Sequence, residues 1–143
     1  MKKLFTLLLI LCSLAFNSKA QTKLEPEVQA MITNFFAKYP TSVNSAVEYI
    51  FGTNLLFTDE STEEIKGKLT KDAETMGAYY GYEQLVIKRP APSLLLYTCI
   101  VKHDLKPLRF IFVFYRANDK WKLQAFLYND NLLDELKHSV ELK

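Results

Sequence analysis

The spacing of apolar residues along the chain changes once, near Tyr79, and that change divides the helices from the strands. Val28, Met31, Ile32, Phe35, Phe36 and Tyr39 recur at intervals of three and four, which lays one apolar stripe along a helix. Pro26 suits the first turn of that helix and Pro40 stops it. Thr41 or Ser42 can cap a second helix, in which Val43, Ala46, Val47, Ile50 and Phe51 repeat the spacing until Gly52, a candidate left-handed terminus. Asn54 to Thr58 reads as a short apolar connection. Asp59 or Ser61 then opens a third helix, whose Glu60, Glu63 and Glu64 suit the helix dipole. Ile65, Leu69, Ala73 and Met76 give it a thinner stripe that Gly77 ends, so this helix is expected to be the most exposed of the three.

From Tyr79 the period shortens to two. Tyr80, Tyr82 and Val86 share one parity and Leu85 and Ile87 the other, predicting a strand that Arg89-Pro90-Ala91-Pro92-Ser93 terminates, since proline cannot donate to a ladder. Leu94 to Lys102, Leu108 to Tyr115 and Trp121 to Tyr128 follow as strands, with short loops between them that imply an antiparallel meander. Asn129 or Asp130 can cap a closing helix that turns Leu132, Leu133, Leu136 and Val140 inward. The expected class is therefore α+β: N-terminal helices packed on a curved four-stranded antiparallel sheet, with a short C-terminal helix.

Neither face of that sheet alternates with polar residues. Phe110, Phe112 and Phe114 stand back to back with Ile111, Val113 and Tyr115, and Leu95, Tyr97, Cys99 and Val101 with Leu94, Leu96 and Ile100. An antiparallel sheet wet on one side should alternate, so both sides need cover. Helices can cover one side well. The other must curl around a cavity, receive the terminal segments or meet a second subunit, and the last is the expected cover, giving a homodimer through the sheet with a helix-covered pocket inside each subunit.

The first twenty residues carry a different pattern. Lys2 and Lys3 precede an apolar run from Leu4 to Phe16, and Ser18-Lys19-Ala20 offers small residues at both recognition positions before Gln21, as in a secretory signal peptide. Leu11 immediately before Cys12 argues against lipid attachment there. Residues 21 to 143 are expected to form a single domain, exported to the periplasm or beyond the cell, with no membrane span. Removal of Lys2, Lys3 and Lys19 lowers the basic count from 18 to 15 against 16 acidic residues, so the mature charge is −1. Without a dense basic patch, nucleic acid is excluded as a partner. Cys12 leaves too, so Cys99 has no partner for an internal disulfide and reads as a buried small hydrophobe.

Reactive groupings are scarce. His103 and Asp104 adjoin in a loop expected to be solvated, and His138 lies near a helix C-terminus, where a partly charged imidazole is stabilising. Two isolated histidines make a poor metal site, and nucleophile elbows and phosphate-cradling glycine loops are absent; no catalytic residue, metal or cofactor is expected. What remains is aromatic and cationic. Tyr82, Tyr97 and Tyr115 fall on strands, where their rings either border the core or offer hydroxyls to a wet pocket. Arg109 shares parity with Ile111 and Val113, so it either pairs with Glu83 on the first strand or binds a ligand carboxylate. Tyr82, Glu83, Tyr97, Arg109 and Tyr115 are thus the candidate ligand-binding residues.

Gly81-Tyr82-Glu83, Lys106-Pro107-Leu108-Arg109-Phe110, Phe114-Tyr115 and Lys120-Trp121 resemble segments of small exported bacterial proteins of unassigned function. The element order resembles the nuclear-transport-factor-like, or cystatin-like, α+β roll. The usual roll places a strand between its second and third helices, a position only Asn54 to Thr58 can supply here. In that superfamily some members are isomerases or dehydratases and many others bind ligands or partners, so the resemblance implies a fold and not an activity. The leading expectation is an exported, noncatalytic module that binds a small molecule or a protein. The alternatives are a pocket enzyme using Glu83 and a tyrosine for acid–base chemistry, and a structural subunit of an envelope assembly, which an exposed Trp121, Phe126 and Tyr128 would favour.

Overall fold

A computed structural model describes residues 23–132 and Lys137. Three helices, α1 (Pro26–Lys38), α2 (Val43–Phe51) and α3 (Asp59–Met76), precede four strands, β1 (Tyr79–Ala91), β2 (Leu94–His103), β3 (Leu108–Tyr115) and β4 (Lys122–Asn129). The strands form one antiparallel sheet in the order β1-β2-β3-β4, so the fold is α+β and the meander runs as the loop lengths imply. The expected leader lies outside the described residues. So does most of the expected closing helix, including Leu133, Leu136, Val140 and His138.

The helix ends show how local chemistry sets boundaries. Ser42 caps α2, its side chain accepting from the Ser45 amide at 3.1 Å. Gly52 closes that helix at φ −61°, a right-handed conformation, so the left-handed terminus expected there does not form. A side chain at Gly52 would meet the Glu48 carbonyl oxygen at 3.0 Å, so compactness and not a positive φ is what favours glycine. Thr58 caps α3 in place of Asp59 or Ser61, accepting from the Ser61 amide at 3.3 Å. Between them, residues 53–58 are turns and not a strand: Thr53 Oγ1 accepts from the Leu123 amide at 3.0 Å and Asn54 Nδ2 donates to the Leu123 carbonyl at 2.7 Å. The side chains of the turn bond the backbone of β4, leaving no ladder for the turn itself to join.

Strand β1 runs through Pro90 instead of ending before it. It is an edge strand, where a missing amide costs no ladder bond. Its ladder slips between Gln84 and Val86, so that Leu85 is an extra residue, and the faces exchange there. Tyr82 lies opposite Val101 and Ile87 opposite Tyr97, whereas Val86 lies opposite Thr98. The bulge thus separates Val86 from the Tyr82 parity that simple alternation assigns it.

Beneath the helices the inner face of the sheet is packed with rings. Phe110, Phe112 and Phe114 on β3 are fully buried, as are Leu95 and Cys99 on β2 and Leu123 on β4. Phe35 of α1 meets Phe110 and Phe112 edge-on at centroid distances of 6.1 and 5.3 Å, and Phe126 meets Phe110 at 5.3 Å. Phe36 stacks on Tyr82 at 3.8 Å. The helix-covered space expected to hold a pocket is occupied by this interlocking set.

Polar contacts secure the periphery. Lys66, only 9% exposed on α3, reaches Glu48 on α2 and Glu63 one turn earlier, both at 2.6 Å. Glu25 at the start of α1 pairs with Arg89 on β1, and Glu27 accepts from the Trp121 amide at 3.3 Å. Arg89 and Arg116 both stand within 6 Å of the Trp121 ring, whose residue is 2% exposed. α3 leans on the far end of the sheet through Asp72, which accepts from the Tyr128 hydroxyl at 2.8 Å.

Two predictions follow from this packing. Phe112→Ala removes the ring at the centre of the inner face and should cost about 3–5 kcal/mol, read as a lowered denaturant midpoint with an unchanged slope. The hydrogen bond from Arg89 holds the Glu25 carboxyl below its ordinary value of 4.5, so the pair adds stability above that value and loses it as pH falls through the folded-state value. The stability gap between the parent and Glu25→Gln should therefore be full near neutrality and close below pH 4.5, as measured by thermal melts along a pH series.

Candidate functional site

The face of the sheet turned away from the helices is built by four lateral rows of residues. Glu83, Ile100, Arg109 and Asn129 stand across from one another from β1 to β4, and Val86, Thr98, Ile111 and Leu127 form the next row. Lys88, Leu96, Val113 and Ala125 follow, then Leu94, Tyr115 and Lys122 at the far end. The contacts of the three helices are with the opposite face, through Phe35, Phe36, Asp72 and Lys68. On the outer face Leu94, Leu96, Ile100, Ile111 and Val113 are half-buried, and Leu127 is 58% exposed. Among the described residues no helix or strand is packed over them.

The five candidate ligand-binding residues are divided between the two faces. Tyr82 and Tyr97 point inward, Tyr82 against Phe36 and Tyr97, 2% exposed, beside Phe112 at 6.2 Å. Glu83, Arg109 and Tyr115 belong to the outer face. Glu83 takes Lys102 as its partner at 2.8 Å, a surface pair with both side chains well exposed, so the Glu83–Arg109 bridge gives way to a neighbour on the adjacent strand. Tyr115 is 43% exposed and borders an open groove of about 370 Å³ against the α2–α3 turn, which Leu56, Asn54, Lys120, Lys122 and Gln124 also line.

Sequence reasoning missed one polar cluster. His103, expected in a solvated loop, closes β2 and is half-buried, with Nδ1 3.0 Å from the Gly77 carbonyl and Nε2 3.2 Å from the Tyr39 hydroxyl. A carbonyl can only accept, so Nδ1 carries the proton that bonds Gly77, and a neutral imidazole then accepts from Tyr39 through Nε2. Gly77 turns at φ +83°, with Asp104 Cβ 3.0 Å from where its own Cβ would stand; a side chain at this position is both strained and crowded. The signal was present in the aromatic ending of the α1 stripe at Tyr39, but only the fold brings residues 39, 77 and 103 together.

The electrostatics favour donors and acceptors over reactive bases. Burial pushes Tyr39 and Tyr97 well above the usual phenol range and Tyr79 up to about 12, with Tyr128 raised by burial and by the nearby Asp72. These phenols stay neutral at any physiological pH and can donate hydrogen bonds. Cys99 is fully buried, and burial raises its thiol far above the ordinary value. The acid–base chemistry considered for Glu83 requires a desolvated acid beside a phenol. Here Glu83 lies exposed on the outer face while Tyr82 and Tyr97 lie on the inner one. Trp121 and Phe126 are buried and Tyr128 is half-buried, so the exposed patch that would favour an assembly subunit is not formed by them.

Among the described residues, no three His, Cys, Asp or Glu side chains are grouped as metal ligands, and no helix is long and apolar enough to cross a membrane. No protein-family model, curated protein or solved structure matches the chain.

Burial of Cys99 has a direct readout. In native protein with Cys12 removed, a disulfide-exchange reagent should find no reactive thiol, and modification should proceed at the rate of global unfolding; fast stoichiometric reaction in buffer would contradict the packing.

Proposed function

We propose that the protein is an exported, noncatalytic interaction module whose working surface is the outer face of the sheet and whose first partner is a second copy of the same chain. The observation that carries this reading is the contrast between the two faces: the inner one is sealed by α1 and its rings, while the outer one presents Leu96, Ile100, Ile111, Val113 and Leu127 with no described element over them. The apolar centre has a polar margin, with Glu83 and Lys102 at one corner, Arg109 and Asn129 along one end, and Lys88 and Lys122 toward the other. An apolar core inside a polar rim is the anatomy of a protein interface. Four strands of eight residues cover roughly 19 by 27 Å, or about 500 Å² on each partner, the size of a weak, transient interface.

Both free edges of the sheet are poor alternatives. β1 carries Gly81 at φ +104°, three register shifts, Lys88 and Pro90, all of which disrupt pairing with another chain. The start of β4 is bonded by Thr53 and Asn54. Association through the face leaves these protections intact. The three helices over a four-stranded meander are compatible with the nuclear-transport-factor-like roll. Members of that superfamily that bind partners without chemistry are the nearest analogy.

A small polar ligand in the groove beside Tyr115 is the second reading, favoured by the amide, ammonium and phenol groups that line it. Native mass spectrometry of the protein from its own host separates the two, as a copurifying small molecule or as a doubled mass. In sedimentation equilibrium the mature chain should associate reversibly in the tens to hundreds of micromolar. Val113→Glu, which sets a carboxylate in the middle of the apolar face, should remain monomeric with an unchanged circular dichroism spectrum. A parent chain that stays monomeric at every concentration removes the second copy as partner.

A further inference from the structure

The turn between α2 and α3 and the turn between β3 and β4 together line the open groove of about 370 Å³, and that groove carries more polar side chains than the fold uses. Its framework is held by the chain itself. Asn54 spends its amide twice, donating to the Leu123 carbonyl at 2.7 Å and accepting from the Leu56 amide at 3.1 Å, while Thr53 accepts from the Leu123 amide at 3.0 Å. Strand β4 adds a device of its own. Val113 lies opposite Ala125 and Phe114 opposite Leu123, so Gln124 is an extra residue, and a bulge of this kind re-aims a side chain. Gln124 lines the groove, as do Tyr115 and Lys122, which pair across β3 and β4.

The other polar groups along the groove are Asn118, Asp119 and Lys120. No described residue bonds the side chain of any of these six. Two ammoniums against one carboxylate call for an anion. Asp119 can only accept and the two amides accept as well as donate, so the ligand must also bring donors. A simple carboxylate lacks those donors, and a neutral sugar lacks the charge. An extended peptide has both but draws its affinity from a free strand edge, and here Thr53 and Asn54 already bond β4 at Leu123. Tyr115, 43% exposed, and Leu56, 56% exposed, add an apolar surface on which the C–H face of a pyranose can rest, with the phenol hydroxyl at its margin.

We propose that this groove binds an acidic sugar, a pyranose bearing a carboxylate. Lys120 and Lys122 hold the carboxylate, Asn118, Asp119 and Gln124 take the ring hydroxyls, and Tyr115 meets the ring face. The site is the groove of the second reading above, and its ligand class rests on that reading. It overlaps the outer face of the sheet only at Tyr115 and Lys122.

Titration of the isotope-enriched mature chain with D-glucuronate tests the assignment, with D-glucose, acetate and L-glutamate as separate arms. The backbone and side-chain amides of Asn118 and Gln124 should shift with glucuronate at a dissociation constant at least about tenfold below that of any other probe. Lys120→Gln/Lys122→Gln exchanges two exposed residues and should leave the circular dichroism spectrum unchanged while bringing glucuronate to the affinity of glucose. Tyr115→Ala should weaken both sugars. Equal affinity for glucuronate and either acetate or glutamate overturns the sugar, and equal affinity for glucuronate and glucose overturns the carboxylate. If glucuronate leaves these amides unmoved while a small molecule copurified from the host moves them, the ligand class falls and the groove reading stands; if neither moves them, both fall.

Discussion

The contact on which everything else depends is the meeting of the α1 stripe with the phenylalanine row of β3. Phe35 packs against both Phe110 and Phe112, and Phe112 stacks on Phe114 at 6.2 Å, so one helix residue engages two rungs of the central ladder. Each such ring, fully buried, contributes on the order of 2–3 kcal/mol of transfer free energy, more than any polar contact in the molecule can supply net. Ring edges and faces also fix orientation, which aliphatic side chains would leave looser. With the middle of α1 held this way, its two ends land where polar partners wait: Glu25 on Arg89 at one, Tyr39 on His103 at the other. Those pairs specify the register of helix on sheet; they do not drive its formation.

Sealing one face so completely has a consequence for the other. The same strands that send Phe110, Phe112 and Phe114 inward must send Arg109, Ile111, Val113 and Tyr115 outward, because alternate residues of a strand point to opposite sides. A protein with no further task for that side would place threonine, lysine or glutamate there. Here only Arg109 and the hydroxyl of Tyr115 are polar on β3, and Thr98 is the one polar residue among Leu94, Leu96, Thr98 and Ile100 on β2. The central strands therefore turn an apolar surface outward, of the kind that marks a site of interaction in other proteins.

Much of this architecture is legible in residue spacing alone. The three helices, the sheet order and the inward set of β2 and β3 follow from periods of 3.6 and two, because those elements are regular where their residues are strongly patterned. The failures cluster where one residue breaks the period. Leu85 is an extra residue whose bulge reverses the faces of β1, and nothing in Glu83-Gln84-Leu85-Val86 marks which position will bulge. Pro90 reads as a terminator but sits on an edge, and edge position belongs to topology and not to the tripeptide around it. Asn54 to Thr58 reads as a short apolar connection, yet the Asn54 amide and the Thr53 hydroxyl bond the backbone of β4, a contact between residues some seventy positions apart. The candidate site shows the same limit. Parity groups Arg109 with Ile111 and Val113, but which face the helices cover belongs to the fold, and the choice of Lys102 over Arg109 as partner for Glu83 depends on which side chain the twisted sheet brings nearer.

The distribution of titratable groups bears on the function proposed above. Tyr39, Tyr79, Tyr97 and Tyr128 are held neutral by burial, and the Cys99 thiol is raised by the same cause. Several charged groups, by contrast, stand in pairs: Glu25 with Arg89, Lys66 with Glu48 and Glu63, Lys102 with Glu83, Lys106 with Asp130. Acid–base catalysis at neutral pH uses environments that push two neighbouring groups toward proton exchange near the working pH, whereas burial moves these four phenols away from it. Recognition calls for neither. The interaction surface proposed above needs a rigid scaffold, an apolar centre to lose water and a few charges at the margin to fix orientation, and the outer face with its Glu83, Lys102 and Arg109 corner would offer these.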